Sequence, residues 1–209
     1  MQFISRWFLS AVFLLTLPAG FAAAKTADEV MGAALWQEAE DAHDRFADRI
    51  GNDKYMIVID YSRHSGEPRF FLVDMQTGTA EAYLVSHGRN SDKDHDGIAD
   101  AFSNISGSKM SSLGTFVTAE TYYGKHGLSL RMDGLESQND AARDRAIVIH
   151  GADYVTPTRA KMGRSWGCPA LERAVAEDLI PRIAGGVLVY TRGPEAPGQL
   201  YADIVDKAG

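Results

Sequence analysis

Short runs of apolar, β-branched and aromatic residues recur from residue 55 onward. They read Tyr-Met-Ile-Val-Ile-Asp at 55–60, Arg-Phe-Phe-Leu-Val-Asp at 69–74 and Glu-Ala-Tyr-Leu-Val-Ser at 81–86. Runs of this length, bounded by turn residues, predict strands. Ser65-Gly66-Glu67-Pro68 and Gln76-Thr77-Gly78 supply the turns, and strands so close in sequence predict an antiparallel meander. Further strands are predicted at 114–121, 128–132, 146–150 and 186–191. Two stretches carry helical spacing instead. Over 26–50, Asp28 and Glu29 suit a first turn, and Val30, Ala34, Leu35, Ala42, Phe46 and Ile50 trace a loose apolar stripe before Gly51-Asn52-Asp53. That pattern predicts one helix packed on the main domain. Leu171, Val175 and Leu179 recur at fourfold spacing and predict a second helix, starting at Pro169 just after Cys168. Pro suits a first helical position because its missing N–H is unused there. The expected fold is mainly β, sandwich-like or barrel-like, with an N-terminal helix and a helix following Cys168.

The first 24 residues read differently. Arg6 gives a positive start, 7–17 an apolar run and Ala22-Ala23-Ala24 a small-residue cleavage site, as in a secretory signal peptide. The apolar run is short of the ~20 residues a membrane span needs, and no cysteine lies nearby for lipid attachment. The expected organisation is a signal peptide at 1–24, a packed helix at 25–53, a catalytic domain at 54–193 and a tail at 194–209. The expected location is periplasmic or secreted, with no transmembrane anchor after cleavage. With 21 basic against 28 acidic side chains the net charge is −7. Loss of Arg6 makes it more negative, which argues against nucleic acid or anionic membrane surfaces as partners. No internal repeat or low-complexity linker points to a second domain.

The chemistry concentrates between Ala146 and Leu171. The apolar run Ala146-Ile147-Val148-Ile149 reads as a buried strand that leaves His150 at its end, before Gly151. The stretch closes on Gly163-Arg164-Ser165-Trp166-Gly167-Cys168-Pro169-Ala170-Leu171. Cys168 is the only cysteine, so no intramolecular disulfide accounts for it. A free thiol ionises near pH ~8.5, and a helix N-terminus with a nearby imidazole lowers that value. Cys168 and His150 are therefore the expected nucleophile and base. A buried filler cysteine and a core histidine are the bland alternative.

These residues resemble the L,D-transpeptidase (YkuD-type) family, in the branch whose catalytic motif reads like 163–171 here. The wider family carries a His, a gap of some fifteen residues, then Ser or Thr, His, Gly and Cys. Here His150 precedes Ser165-Trp166-Gly167-Cys168. Trp166 stands where the wider family has a second histidine, and Ala170 where Asn or Arg commonly follows. The resemblance implies a Cys-dependent acyl transferase acting on peptidoglycan stem peptides through a thioester on Cys168, the alternative to transfer being carboxypeptidase or endopeptidase hydrolysis of the same bonds. A non-enzymatic periplasmic binding protein is the reading from another class. No cofactor is implied, and a monomer is expected. Backbone N–H groups around Gly167 and Cys168 would form the oxyanion site, with Ser165 and Trp166 beside it.

Other stretches supply further expectations. His87 and His126 each precede glycine, and with Arg131 they are candidate substrate-binding residues, a cation there being suited to a carboxylate. Ser111-Ser112-Leu113-Gly114-Thr115-Phe116 resembles a family turn near the substrate path. Asp92, Asp94, Asp96 and Asp100 alternate around Gly97 as calcium loops do, but the twelfth position holds Ser103 rather than Glu. No metal is expected, and these acids remain a weak calcium candidate.

Overall fold

The computed structural model describes residues 24–194; all but the last residue of the expected signal peptide and nearly all of the tail lie outside the described residues. Eight strands form one mixed, barrel-like sheet: β1 (Tyr55–Asp60), β2 (Phe70–Asp74), β3 (Thr79–Tyr83), β4 (Gly114–Gly124), β5 (Gly127–Gly134), β6 (Val148–Gly151), β7 (Ala170–Leu171) and β8 (Leu188–Arg192). Their order is β3-β2-β1-β8-β4-β5-β6-β7. The meander of β1, β2 and β3 is antiparallel throughout, and β8 returns to pair in parallel with β1.

The strand runs are continuously apolar because both faces of the sheet are covered. Ile57, Ile59, Phe70 and Leu72 bury on the face packed by α3 (Arg173–Ile183), with Leu179, Ile180 and Ile183. Met56, Val58, Phe71 and Val73 bury on the other face, under α1 (Ala27–Met31) and α2 (Ala33–Arg45), with Ala27, Met31, Leu35 and Ala39. Successive strand side chains point to opposite faces, so alternate residues feed two cores.

Three expectations need correction. The single helix at 26–50 is two helices and a short 3-10 turn at Ala47–Arg49. The break is at Gly32, whose φ of +95° is open to glycine at little cost. The third strand ends at Tyr83 rather than at residue 86, because 84–88 turn away from β2 to flank the segment before Cys168. The helix after Cys168 begins at Arg173, behind Glu172. Residues 170–171 are drawn into the sheet as β7, parallel to β6, and Ser86 N–H donates to the Ala170 carbonyl at 2.9 Å.

Candidate active site

The site is built where β6, β7 and the 86–89 segment run side by side. In the β6–β7 register His150 faces Ala170. Two residues back along each strand are Val148 and Cys168. The thiol lies against this part of β6: Sγ is 3.6 Å from the Ala146 carbonyl, and the Val148 backbone hydrogen-bonds the sulfur. Ala146 has a φ of +54°, uncommon outside glycine, and this conformation aims its carbonyl at the thiol. Cys168 is half-buried and unpaired.

The turn before Cys168 is tightly tied. Ser165 Oγ donates to the Cys168 carbonyl at 2.7 Å and accepts from Gly167 N–H at 3.0 Å. Ser111 Oγ donates to the Gly167 carbonyl at 3.1 Å and accepts from Gly88 N–H at 3.0 Å. Gly167 has a φ of +126°, and a Cβ there would stand 2.7 Å from the Met110 carbonyl. Only glycine fits. Because Gly167 N–H is committed to Ser165, the expected oxyanion donor at that position is already occupied. The Cys168 N–H instead faces its own sulfur.

His150 is 2% exposed. Its Nδ1 lies 2.9 Å from the Gly151 carbonyl, and a carbonyl can only accept. Nδ1 therefore carries the proton in the neutral ring, leaving the Nε2 lone pair unprotonated. Burial, aided by the charges of Lys125 and Arg173 and by His126, pulls its pKa down to about 4 despite the Gly151 bond. His126, at the β4–β5 turn, stacks on His150 with ring centroids 4.1 Å apart and planes 21° from parallel. Burial, Lys125 and Arg173 lower the His126 pKa as well.

Cys168 behaves contrary to the helix-terminus expectation. Four residues stand between it and α3, beyond the first turn where a helix dipole acts. Burial pushes its pKa above the ordinary thiol value, opposed by the Val148 backbone, Arg145, Lys125 and its own N–H. At rest Cys168 is thus a thiol and His150 a neutral imidazole.

Arg145 carries no recognisable sequence signal, being one arginine in the acidic, basic run before the strand. Its guanidinium donates to the Ser103 carbonyl, Ser112 Oγ, Ser108 Oγ and the Met110 carbonyl. It thereby ties the 103–112 loop to the approach to β6. Lys109, whose Nζ lies 4.7 Å from the Trp166 ring centroid, is a further site neighbour that local pattern does not single out, whereas Lys125 belongs with His126 and Arg131 to the basic stretch expected to suit a carboxylate.

His87 and Arg131 sit elsewhere than expected. His87 is 1% exposed; Arg69 donates to its Nδ1 at 2.8 Å, and its Nε2–H donates to Asp92 Oδ2 at 3.0 Å. Both ring nitrogens are used inside the protein, so His87 braces the wall of the site instead of presenting itself to substrate. Its carbonyl accepts from Ser165 N–H at 2.8 Å. Burial and Arg69 lower its pKa to about 4 against the pull of Asp92. Arg131 is engaged by Glu120 at 3.2 Å and lies over the Tyr122 ring.

Asp92, Asp94 and Asp96 do converge, with carboxylate oxygens within 4.8 Å of one another. Asp100 stands outside that group. Asp92 is buried and already accepts from His87, Asp96 N–H and Gly97 N–H, so protein donors hold this loop. Burial opposes ionisation of Asp92, yet the bonds from His87 and Gly97 keep its pKa below the usual range. A cavity of about 940 Å³ opens between α2, the end of β8 and the 102–105 loop, and neither Cys168 nor His150 lines it.

The family model for the L,D-transpeptidase catalytic domain matches residues 27–191. The chain belongs to that family. No curated protein matches it. Among solved structures it is similar to an L,D-transpeptidase from Mycobacterium smegmatis, at 13% identity and a TM-score of 0.44 over 67% of this chain and 59% of the other. An L,D-transpeptidase from Mycobacterium tuberculosis H37Rv gives 16%, 0.45, 66% and 57% in the same order. One from Xylanimonas cellulosilytica gives 14%, 0.39, 68% and 61%. The chain spans less than two thirds of the length of each.

Proposed function

We propose that this L,D-transpeptidase family member is an exported cysteine acyl transferase acting on peptidoglycan stem peptides. The observation that carries the reading is the state of His150. Its Nδ1 proton is committed to Gly151, which leaves Nε2 as the basic nitrogen, on the strand whose Val148 backbone also meets the only thiol. Cys168 attacks the amide carbonyl of a diamino-acid residue as His150 Nε2 removes the thiol proton. The S–C bond forms, the C–N bond breaks, and the imidazolium returns the proton to the amine of the departing D-alanine. The Cys168 N–H is the backbone donor for the tetrahedral oxyanion. An acceptor amine then attacks the thioester, forming a new amide and restoring the thiol. These steps require no metal or organic cofactor.

Export rests on the 1–24 pattern, and no described helix is long and apolar enough to cross a membrane. Intact mass of periplasmic material tests it: a chain starting at Lys25 supports export, and a retained Met1 segment in the membrane fraction opposes it. The reaction is tested by incubating the mature protein with purified peptidoglycan and weighing the muropeptides. New cross-links support transfer. Lost D-alanine or opened bridges mean hydrolysis, and unchanged muropeptides with peptide still bound favour a binding protein.

A further inference from the structure

The immediate surroundings of Cys168 are cationic although the chain's net charge is −7. Trp166, two residues before the nucleophile, is 66% exposed. Lys109 Nζ lies 4.7 Å and Lys125 Nζ 5.6 Å from its ring centroid. The two lysines come from different elements, the 103–113 loop and the β4–β5 turn. Among the described residues neither has a carboxylate at ion-pair distance. Arg131 and Arg173 each have one, and Arg143 has two.

This arrangement is fixed by more than two flexible stems. Lys109 has a φ of +56°, and its carbonyl accepts from Asn90 N–H at 3.1 Å. Lys125 is carried on the same two-residue turn as His126, which stacks on His150. The indole face attracts both ammonium groups, while the like charges repel each other. An anion that pairs with both, each within 5.6 Å of one ring centroid, offsets that repulsion. We propose that Trp166, Lys109 and Lys125 form a carboxylate subsite that takes the C-terminal carboxylate of the acyl-donor peptide. The inference rests on the acyl-transfer reading of Cys168. One residue spans at most ~3.6 Å, so a donor that loses a single residue keeps its terminal carboxylate close to the carbonyl under attack. Lys125, whose charge acts on Cys168, and Lys109, which shares the Trp166 ring with it, meet it there.

The test is calorimetric binding to Cys168→Ala protein, which needs no turnover. Three tetrapeptides are compared: the free acid, its C-terminal amide, and a peptide amidated on the side-chain carboxylate of the diamino acid. The C-terminal amide is expected to bind about tenfold more weakly than the free acid, the scale of a lost charged hydrogen bond. The side-chain amide is expected to bind like the free acid. Adding Lys109→Met and Lys125→Met should bring the free acid down to the affinity of the C-terminal amide, with an unchanged melting temperature, and arginine at both positions should restore the preference. Equal binding of acid and C-terminal amide overturns the subsite, as does a preference that follows the side-chain carboxylate or survives the double methionine substitution. An acid preference in a protein whose parent turns nothing over would sink the acyl-transfer reading and leave the subsite standing. Turnover without that preference would do the reverse.

Discussion

His150 gives its Nδ1 proton to the carbonyl of Gly151, 2.9 Å away, and this one bond fixes which nitrogen can serve as a base. With a pKa pulled down to about 4 by burial, the ring is neutral and basic over the whole neutral range. The acid limb of kcat/KM should therefore have its midpoint near 4, because activity is lost only once Nε2 is protonated. A pH–rate profile on stem tetrapeptide checks this. A midpoint near the ordinary histidine value would show that His150 is not the titrating base.

The thiol is held above its ordinary pKa by burial, so Cys168 is protonated at rest. Iodoacetamide labelling should climb steadily with pH through the alkaline range, with no plateau of reactivity at neutral pH. Arg145→Met should lower the labelling rate at neutral pH by roughly threefold to tenfold, since losing a nearby positive charge raises a thiol pKa by up to about one unit. An unchanged rate would remove Arg145 from the electrostatics of the site.

The Arg69–His87–Asp92 chain makes the fold acid-sensitive. The folded pKa of His87, about 4, lies below the ordinary histidine value of 6.5, so protons bind the unfolded chain more tightly. The stability contribution is full above the unfolded value and is lost as pH falls from there through about 4. Its size is on the order of a few kcal/mol. Melting temperatures measured across that window should fall, and His87→Gln should flatten the slope, because its amide can accept from Arg69 and donate to Asp92 without titrating. A flat parental curve would contradict this.

Gly167→Ala puts a Cβ 2.7 Å from the Met110 carbonyl at a φ of +126°. Strain of this kind costs on the order of 1–3 kcal/mol. A lower melting temperature with a larger fall in kcat than in binding is expected, since the Ser165–Cys168 turn must shift. Parental stability and kcat would show that the turn yields freely.

Much of this was legible in the chain. The continuous apolar runs at 55–60 and 69–74 mark strands buried on both faces, and they became β1 and β2. The spacing of His150 from Cys168 and the residues at 163–171 carried the family resemblance. What stayed hidden depends on partners distant in sequence. Pro169 resembles a helix start, but pairing of Ala170 and Leu171 with β6 outweighs that local preference. His87 resembles a site histidine until Arg69 and Asp92, 18 and 5 residues away, occupy both its nitrogens. Lys109 and Lys125 meet over Trp166 only because a loop and a hairpin turn converge there.

The most direct measurement is intact-mass spectrometry of the mature protein quenched in acid during turnover of stem tetrapeptide. The expected result is an adduct with the mass of the acyl tripeptide, mapped to the Cys168 peptide, released by hydroxylamine and missing from Cys168→Ala. Turnover at the parental rate by Cys168→Ala, with no adduct on the parent, would contradict covalent catalysis by this thiol.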